Sequence, residues 1–237
     1  PTHVVALGED DIYLRDNNGV KRFQPSTGKV TLIEGTERAR KNTMVVADGK
    51  VFATVGTSVV VIEAGKDEIA NTIEFEDRVS GVIKASDGNI LVSDGSGNIT
   101  KVDVKTYTKL GSSKVSDEAK SVLSASFAAA PSITAKGDTL YMSGLSSKIY
   151  RHVFGSDRTE LMVDAKDMVD NVGIIYNTCA VHPITGEVYL NSIKGYSDYK
   201  TNNITVFDFS SDEPKVSANY ENYTAFPAGT FFTYNFE

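Results

Sequence analysis

Tryptophan is absent from the 237 residues, cysteine occurs once and histidine three times. The single cysteine, Cys179, excludes an internal disulfide. With His3, His152 and His182 dispersed along the chain, too few soft ligands remain for a structural zinc site. No apolar run approaches the roughly 18 residues of a membrane-spanning helix. The 24 basic residues are scattered among 31 acidic ones, for a net charge of -7. A phosphate-backbone surface needs clustered Lys and Arg, so nucleic acid is excluded as a partner. No Gly-rich phosphate loop, serine nucleophile elbow or paired-histidine metal motif occurs. Residues 94–98, DGSGN, lack the alternating acids and terminal Glu of a calcium loop, and a Gly-rich hairpin explains them. Neither a metal nor a cofactor is expected. The chain carries no signal peptide and starts at Pro1 without a methionine, which reads as a chain already processed or trimmed.

What is there is repetition. Residues 179–209 read as three strands: a short apolar one, a turn at 183–186, an alternating one at 187–191, and another at 203–209. The same second strand recurs as DIYLR at 11, KVFAT at 50, NILVS at 89, TLYMS at 139 and EVYLN at 187. The third recurs as GVKRF at 19, SVVVI at 58, NITKV at 98, KIYRH at 148 and NITVF at 203. Tight-turn pairs precede each second strand: Glu9-Asp10, Asp48-Gly49, Asp87-Gly88, Lys136-Gly137 and Thr185-Gly186. A period of roughly 40 and then roughly 50 residues is that of propeller blades. The expected fold is all-β: one β-propeller domain of four-stranded blades over about 1–35, 36–76, 77–117, 118–166 and 167–223. An orphan closing strand follows in 224–237, within 230–235, so the count here is five or six blades, with room for more in a longer parent chain. A turn or two of helix is expected in 117–126.

The blade pattern assigns loops to rims. Links between blades, and links from second to third strand, share one rim. The long inserts at 35–43, 116–130, 168–178, 192–202 and 222–229 all fall there, whereas the opposite rim has mostly short turns. Long loops on a rigid scaffold tend to carry function. On the long-loop rim, Arg38, Arg40, Arg78, Tyr176, Asn177, Tyr196, Tyr199 and Phe226 make the candidate binding surface. Aromatic faces give rigid contact area, and arginines give forked donors. Each could equally be an ordinary loop residue.

Other polar residues read as structural. Cys179 is expected as a buried small hydrophobe, and His182 as a turn or core histidine before Pro183. His152 stands in a column otherwise made of Phe23, Ile62, Val102 and Phe207, so partial burial is expected. Glu63, Asp103 and Asp208 recur just after that column, and an acid before a turn bonds turn amides.

The triplets VYLNS at 188, LYMSG at 140 and ITVFDF at 204 resemble the YVTN-type propeller repeats of surface and periplasmic proteins. With the Phe-Pro-Ala-Gly ending at 226–229, the chain is similar to the propeller domains of Bacteroides-type surface lipoproteins, one branch of which captures cobalamin beside a transporter. The resemblance implies an exported protein, on the cell surface or in the periplasm, anchored by lipid through a removed N-terminal segment. It implies a small molecule, a glycan or an outer-membrane protein as partner. It carries no ligand residue over to this chain, and its repeat motifs specify fold far better than ligand. The expected activity is binding without catalysis. The alternatives are a propeller enzyme of the lyase or lactonase kind and a pure protein-interaction scaffold.

Overall fold

The computed structural model describes residues 3–37, 44–123, 133–175, 179–195, 197–198, 200, 202–225 and 229–232. Alternating apolar residues put these segments into five four-stranded antiparallel sheets, each in simple up-and-down order. Blade 1 holds β1 (His3–Gly8), β2 (Asp11–Asp16), β3 (Gly19–Gln24) and β4 (Lys29–Leu32). Blade 2 holds β5 (Met44–Ala47), β6 (Lys50–Val55), β7 (Ser58–Glu63) and β8 (Asn71–Glu74). Blade 3 holds β9 (Val79–Lys84), β10 (Ile90–Asp94), β11 (Asn98–Val102) and β12 (Lys109–Lys114). A short helix, α1 (Asp117–Leu123), leads to blade 4: β13 (Thr134–Lys136), β14 (Thr139–Met142), β15 (Lys148–Val153) and β16 (Thr159–Asp164). One helical turn, α2 (Ala165–Met168), leads to blade 5: β17 (Ala180–Val181), β18 (Val188–Ser192), β19 (Asn202–Asp208) and β20 (Lys215–Thr224).

The five repeats read from the sequence are thus five blades, and α1 starts where the helix was expected. The closing strand is not seen in its described part. Residues 229–232 are not in a strand, and 233–237 lie outside the described residues. Instead, 229–232 lie against the free face of blade 5 and reach blade 1. The Asn191 side-chain amide donates to Thr230 at 3.0 Å. Phe232 packs on His182 and Tyr189, and Phe231 lies 5.8 Å from the His3 ring.

Register explains the core. Strands pair so that Val51 faces Ile62, Ile90 faces Val102, Leu140 faces His152 and Val188 faces Phe207. In each of these blades that face packs against the preceding blade, and all eight residues are 0% exposed. The resulting apolar clusters fill the seams between consecutive blades, from Tyr13 and Ile62 in the first to Tyr141 and Phe207 in the last. Fully burying one such side chain contributes about 1.5–3 kcal/mol, so the seams hold the stack together. Blade 1 has the same column, Ile12 facing Phe23, but both are only half-buried. Around them on that face, Val4, Val30 and Leu32 are exposed.

The short turns carry their own caps. Asp103 accepts from the amides of Lys105 and Thr106 at 2.8 Å, and Asp208 from that of Ser210. The amide bonds of Thr106 and Lys105 hold the Asp103 carboxyl below the ordinary carboxylate range, and the Ser210 hydroxyl followed by its amide does the same for Asp208. His182 Nδ1 accepts from the amides of Ile184 and Thr185, so it is a turn histidine. Asp94 likewise accepts from the amides of Ser96 and Asn98 and from the Asn98 side chain, closing the Gly-rich hairpin. Cys179 is buried, and its amide donates to Ser143 Oγ.

Candidate functional site

Two places combine a rigid frame with chemistry. The first is the long-loop rim. Of its eight sequence candidates, Arg38, Arg40, Tyr176, Asn177, Tyr196, Tyr199 and Phe226 lie outside the described residues. Arg78 is described, and is exposed in the link from β8 to β9. Its backbone is fixed: the amide donates to Asp77, and the carbonyl accepts from Gly95 at 2.9 Å. The Ser96 hydroxyl also binds Asp77, which ties the β10–β11 turn to the same link. The Arg78 side chain therefore projects from a braced platform.

Around blade 5 the two longest inserts are tied to each other. Ile174, in the link from blade 4, and Ile193, after β18, exchange backbone hydrogen bonds of 2.7 and 2.8 Å. Asn203 donates from its side chain to the Asn171 carbonyl, and its own side-chain oxygen accepts from the Asn222 amide. Lys194 reaches the Asn222 side chain at 2.6 Å. These cross-links order the described parts of the inserts, at a cost in chain entropy already met before any ligand binds.

The second place was not picked out from the sequence: the seam between blades 4 and 5 on the short-turn rim. A cavity of about 550 Å³ opens at its outer end, between the start of β16 and the loop after β19. A smaller one, about 210 Å³, continues it toward the axis beside Lys136 and Gly186. Phe209 and Ser210 border both, so the two form one groove. Lys136 closes the inner end by donating to the Ile184 carbonyl of blade 5 at 2.6 Å. Under the groove, Tyr141 and Phe209 stack with ring centroids 5.8 Å apart, and burial pushes the Tyr141 hydroxyl above its ordinary pKa.

The outer wall is charged. Glu160 takes Arg151 on one carboxylate oxygen and Arg158 on the other, the latter at 2.7 Å. Hydrogen bonding from Arg151 holds the Glu160 carboxyl below the usual carboxylate range, and Glu160 raises the Arg151 guanidinium in turn. Among the described residues, His, Cys, Asp and Glu nowhere gather in a group that could hold a metal ion.

His152, the odd member of its column, is fully buried, with Nε2 2.8 Å from Ser113 Oγ and Nδ1 3.1 Å from Thr159 Oγ1. It bridges blade 4 to the outer strand of blade 3, and burial lowers its pKa. Its place is structural.

Comparison with known proteins places the fold more firmly than the chemistry. A family model described as a domain of unknown function, DUF5074, matches residues 2–233. No curated protein matches. Among solved structures, a quinonprotein alcohol dehydrogenase-like protein from Bacteroides thetaiotaomicron has a TM-score of 0.59 at 16% identity, covering 94% of this chain. The hydrazine synthase of Kuenenia stuttgartiensis has a TM-score of 0.61 at 15% identity, over 95% of this chain and 68% of its own. The computationally designed Ika8 protein has a TM-score of 0.58 at 10% identity, over 98% of this chain and 65% of its own. The chain spans 56% of the length of the first of these proteins. At such identities the likeness is one of fold alone.

Proposed function

The chain belongs to the DUF5074 family, and for this member we propose a non-enzymatic, exported β-propeller that captures a ligand or protein partner on its long-loop rim. The observation that carries this reading is the bracing of that rim. The Ile174–Ile193 bridge, the Asn203 contacts and the Asp77–Ser96 bond tie together the described parts of the inserts and the β8–β9 link on that rim. Loops held before binding lose little conformational entropy when a ligand arrives, so affinity comes from contacts already in place. In this reading Arg78 and the candidates Arg38, Arg40, Tyr176, Asn177, Tyr196, Tyr199 and Phe226 form the capture face. Its cargo is a nutrient at the cell surface, a corrinoid or a glycan.

The first test is size-exclusion chromatography after mixing with cobalamin, following its visible absorbance. Co-elution at near-equal stoichiometry, lost in Arg78→Ala or Tyr176→Ala, supports corrinoid capture. A colourless protein peak removes that cargo and moves the screen to glycans and to membrane-protein pull-down. Turnover that disappears with a chelator and returns with metal would overturn the non-enzymatic part.

A further inference from the structure

We propose that the outer groove between blades 4 and 5 is a second binding site, for a molecule carrying an oxyanion on an apolar body. It lies on the short-turn rim and does not depend on the long-loop rim being the capture face.

The inference comes from comparing the same position at three of the four seams; at the seam between blades 2 and 3 it is Val61, opposite Phe52, and carries no charge. Arg22, Lys101 and Arg151 occupy one place on the third strand, directly opposite Tyr13, Leu91 and Tyr141. At two seams the basic side chain crosses to an acid of the next blade. Arg22 reaches Asp67 of blade 2 at 3.3 Å. Lys101 reaches Asp138 of blade 4 at 3.4 Å and lies 4.9 Å from the centre of the Phe154 ring. Arg22 and Lys101 also bind acids of their own blades, Asp11 and Asp87, whereas Arg151 has, among the described residues, the own-blade acid Glu160 alone and no acid of blade 5. Phe209 of blade 5 stands at the position of Phe154, two residues beyond the buried column. In place of a partner acid from blade 5, this seam has the 550 Å³ cavity.

The charges left over suit an anion. Two guanidinium groups share the one carboxylate of Glu160, so the cluster carries a surplus positive charge. Arg158 is 80% exposed and has donors to spare beyond its bond to Glu160. A guanidinium fork matches the planar edge of a carboxylate or the oxygens of a phosphate. Leu161 and Pro214 supply the smaller, apolar part of the lining over the buried Phe209 ring, and the volume falls within the roughly 300–1,000 Å³ of small-molecule sites. Asp208 is taken up by the Ser210 amide. Asp212, on the blade 5 wall, is the opposing charge, and it sets a limit on anion affinity that can be removed.

Isothermal titration with phenyl phosphate tests this, with phenol and inorganic phosphate as controls. The wild-type chain should bind phenyl phosphate, show no heat with phenol and bind inorganic phosphate more weakly. Arg158→Gln, an exposed change that leaves the fold intact, should weaken phenyl phosphate about tenfold by removing one charge-assisted fork. Asp212→Asn should tighten it. Shifts in opposite directions from two surface variants cannot come from unfolding. No binding to the wild-type chain, or affinity unmoved by either substitution, overturns the proposal. Equal affinity for inorganic phosphate overturns its apolar half.

Discussion

Gly173 stands so close to Ile193 that a Cβ built on it would lie 2.0 Å from the Ile193 carbonyl oxygen. That oxygen is the one bonded by the Ile174 amide, so the close approach and the bridge between the inserts at 168–178 and 192–202 are one arrangement. Gly173→Ala must part the two backbones and break at least one hydrogen bond. Each such bond contributes about 0.5–1.5 kcal/mol net. Amide exchange at Ile174 and Ile193 should rise, while protection in β18 and β19 stays unchanged. If the long-loop rim is the capture face, ligand affinity should fall with it.

Phe207 and Phe23 occupy equivalent positions, yet only Phe207 is fully covered. Phe207→Ala leaves a cavity in the seam between blades 4 and 5 and should cost about 3–5 kcal/mol. Phe23→Ala should cost less than about half of that, because the side chain is already partly in water. Urea denaturation of both variants checks the ratio. Equal losses would mean that the face of blade 1 is covered in solution.

Burial holds His152 below its ordinary pKa, so the folded chain takes up its proton less readily than the unfolded chain does. Stability from this residue is complete above the unfolded value of about 6.5. It falls as pH drops from there toward the lower folded value, since the unfolded state binds the extra proton. Melting temperature should therefore decline below about pH 6.5, and in His152→Gln this part of the decline should disappear.

The Tyr13 hydroxyl donates to the carbonyls of Glu63 and Lys66, pinning blade 1 to the turn after β7. Tyr13→Phe takes a donor from the Lys66 carbonyl, while the Glu63 carbonyl keeps the Lys66 amide, and should cost about 1 kcal/mol. Burial, with a smaller contribution from Asp11, pushes the Tyr13 hydroxyl up to about 12. In alkaline titration followed by ultraviolet absorbance, Tyr13 should ionise well after the exposed tyrosines. In Tyr13→Phe that late step should vanish.

Much of this was legible in the sequence because blades repeat local rules. Near-continuous apolar runs in 50–54 and 58–62 give paired strands buried on both faces, and a carboxylate at 103 or 208 followed by turn residues gives a cap. His152 was found by its column, since a polar residue in an apolar series announces itself. The groove was not legible, because it depends on where Arg151 points. Its alternatives, Glu160 nearby and the blade 5 loop more than fifty residues on, look equally available in the sequence. The thin cover of blade 1 was hidden too: Ile12 and Phe23 alternate as the other columns do, and alternation does not say what lies on the far side. Of the rim candidates, only Arg78 falls among the described residues, where its side chain is exposed on a backbone held by Asp77 and Gly95.

That thin cover has a consequence for how the molecule comes apart. Blades 2, 3 and 4 each bury two faces against neighbours, whereas blade 1 buries one deeply and leaves the other half-wet. In an array stabilised by nearest-neighbour contacts, the unit with the weaker flank frays first. Blade 1 should then be lost as a unit ahead of blades 2, 3 and 4.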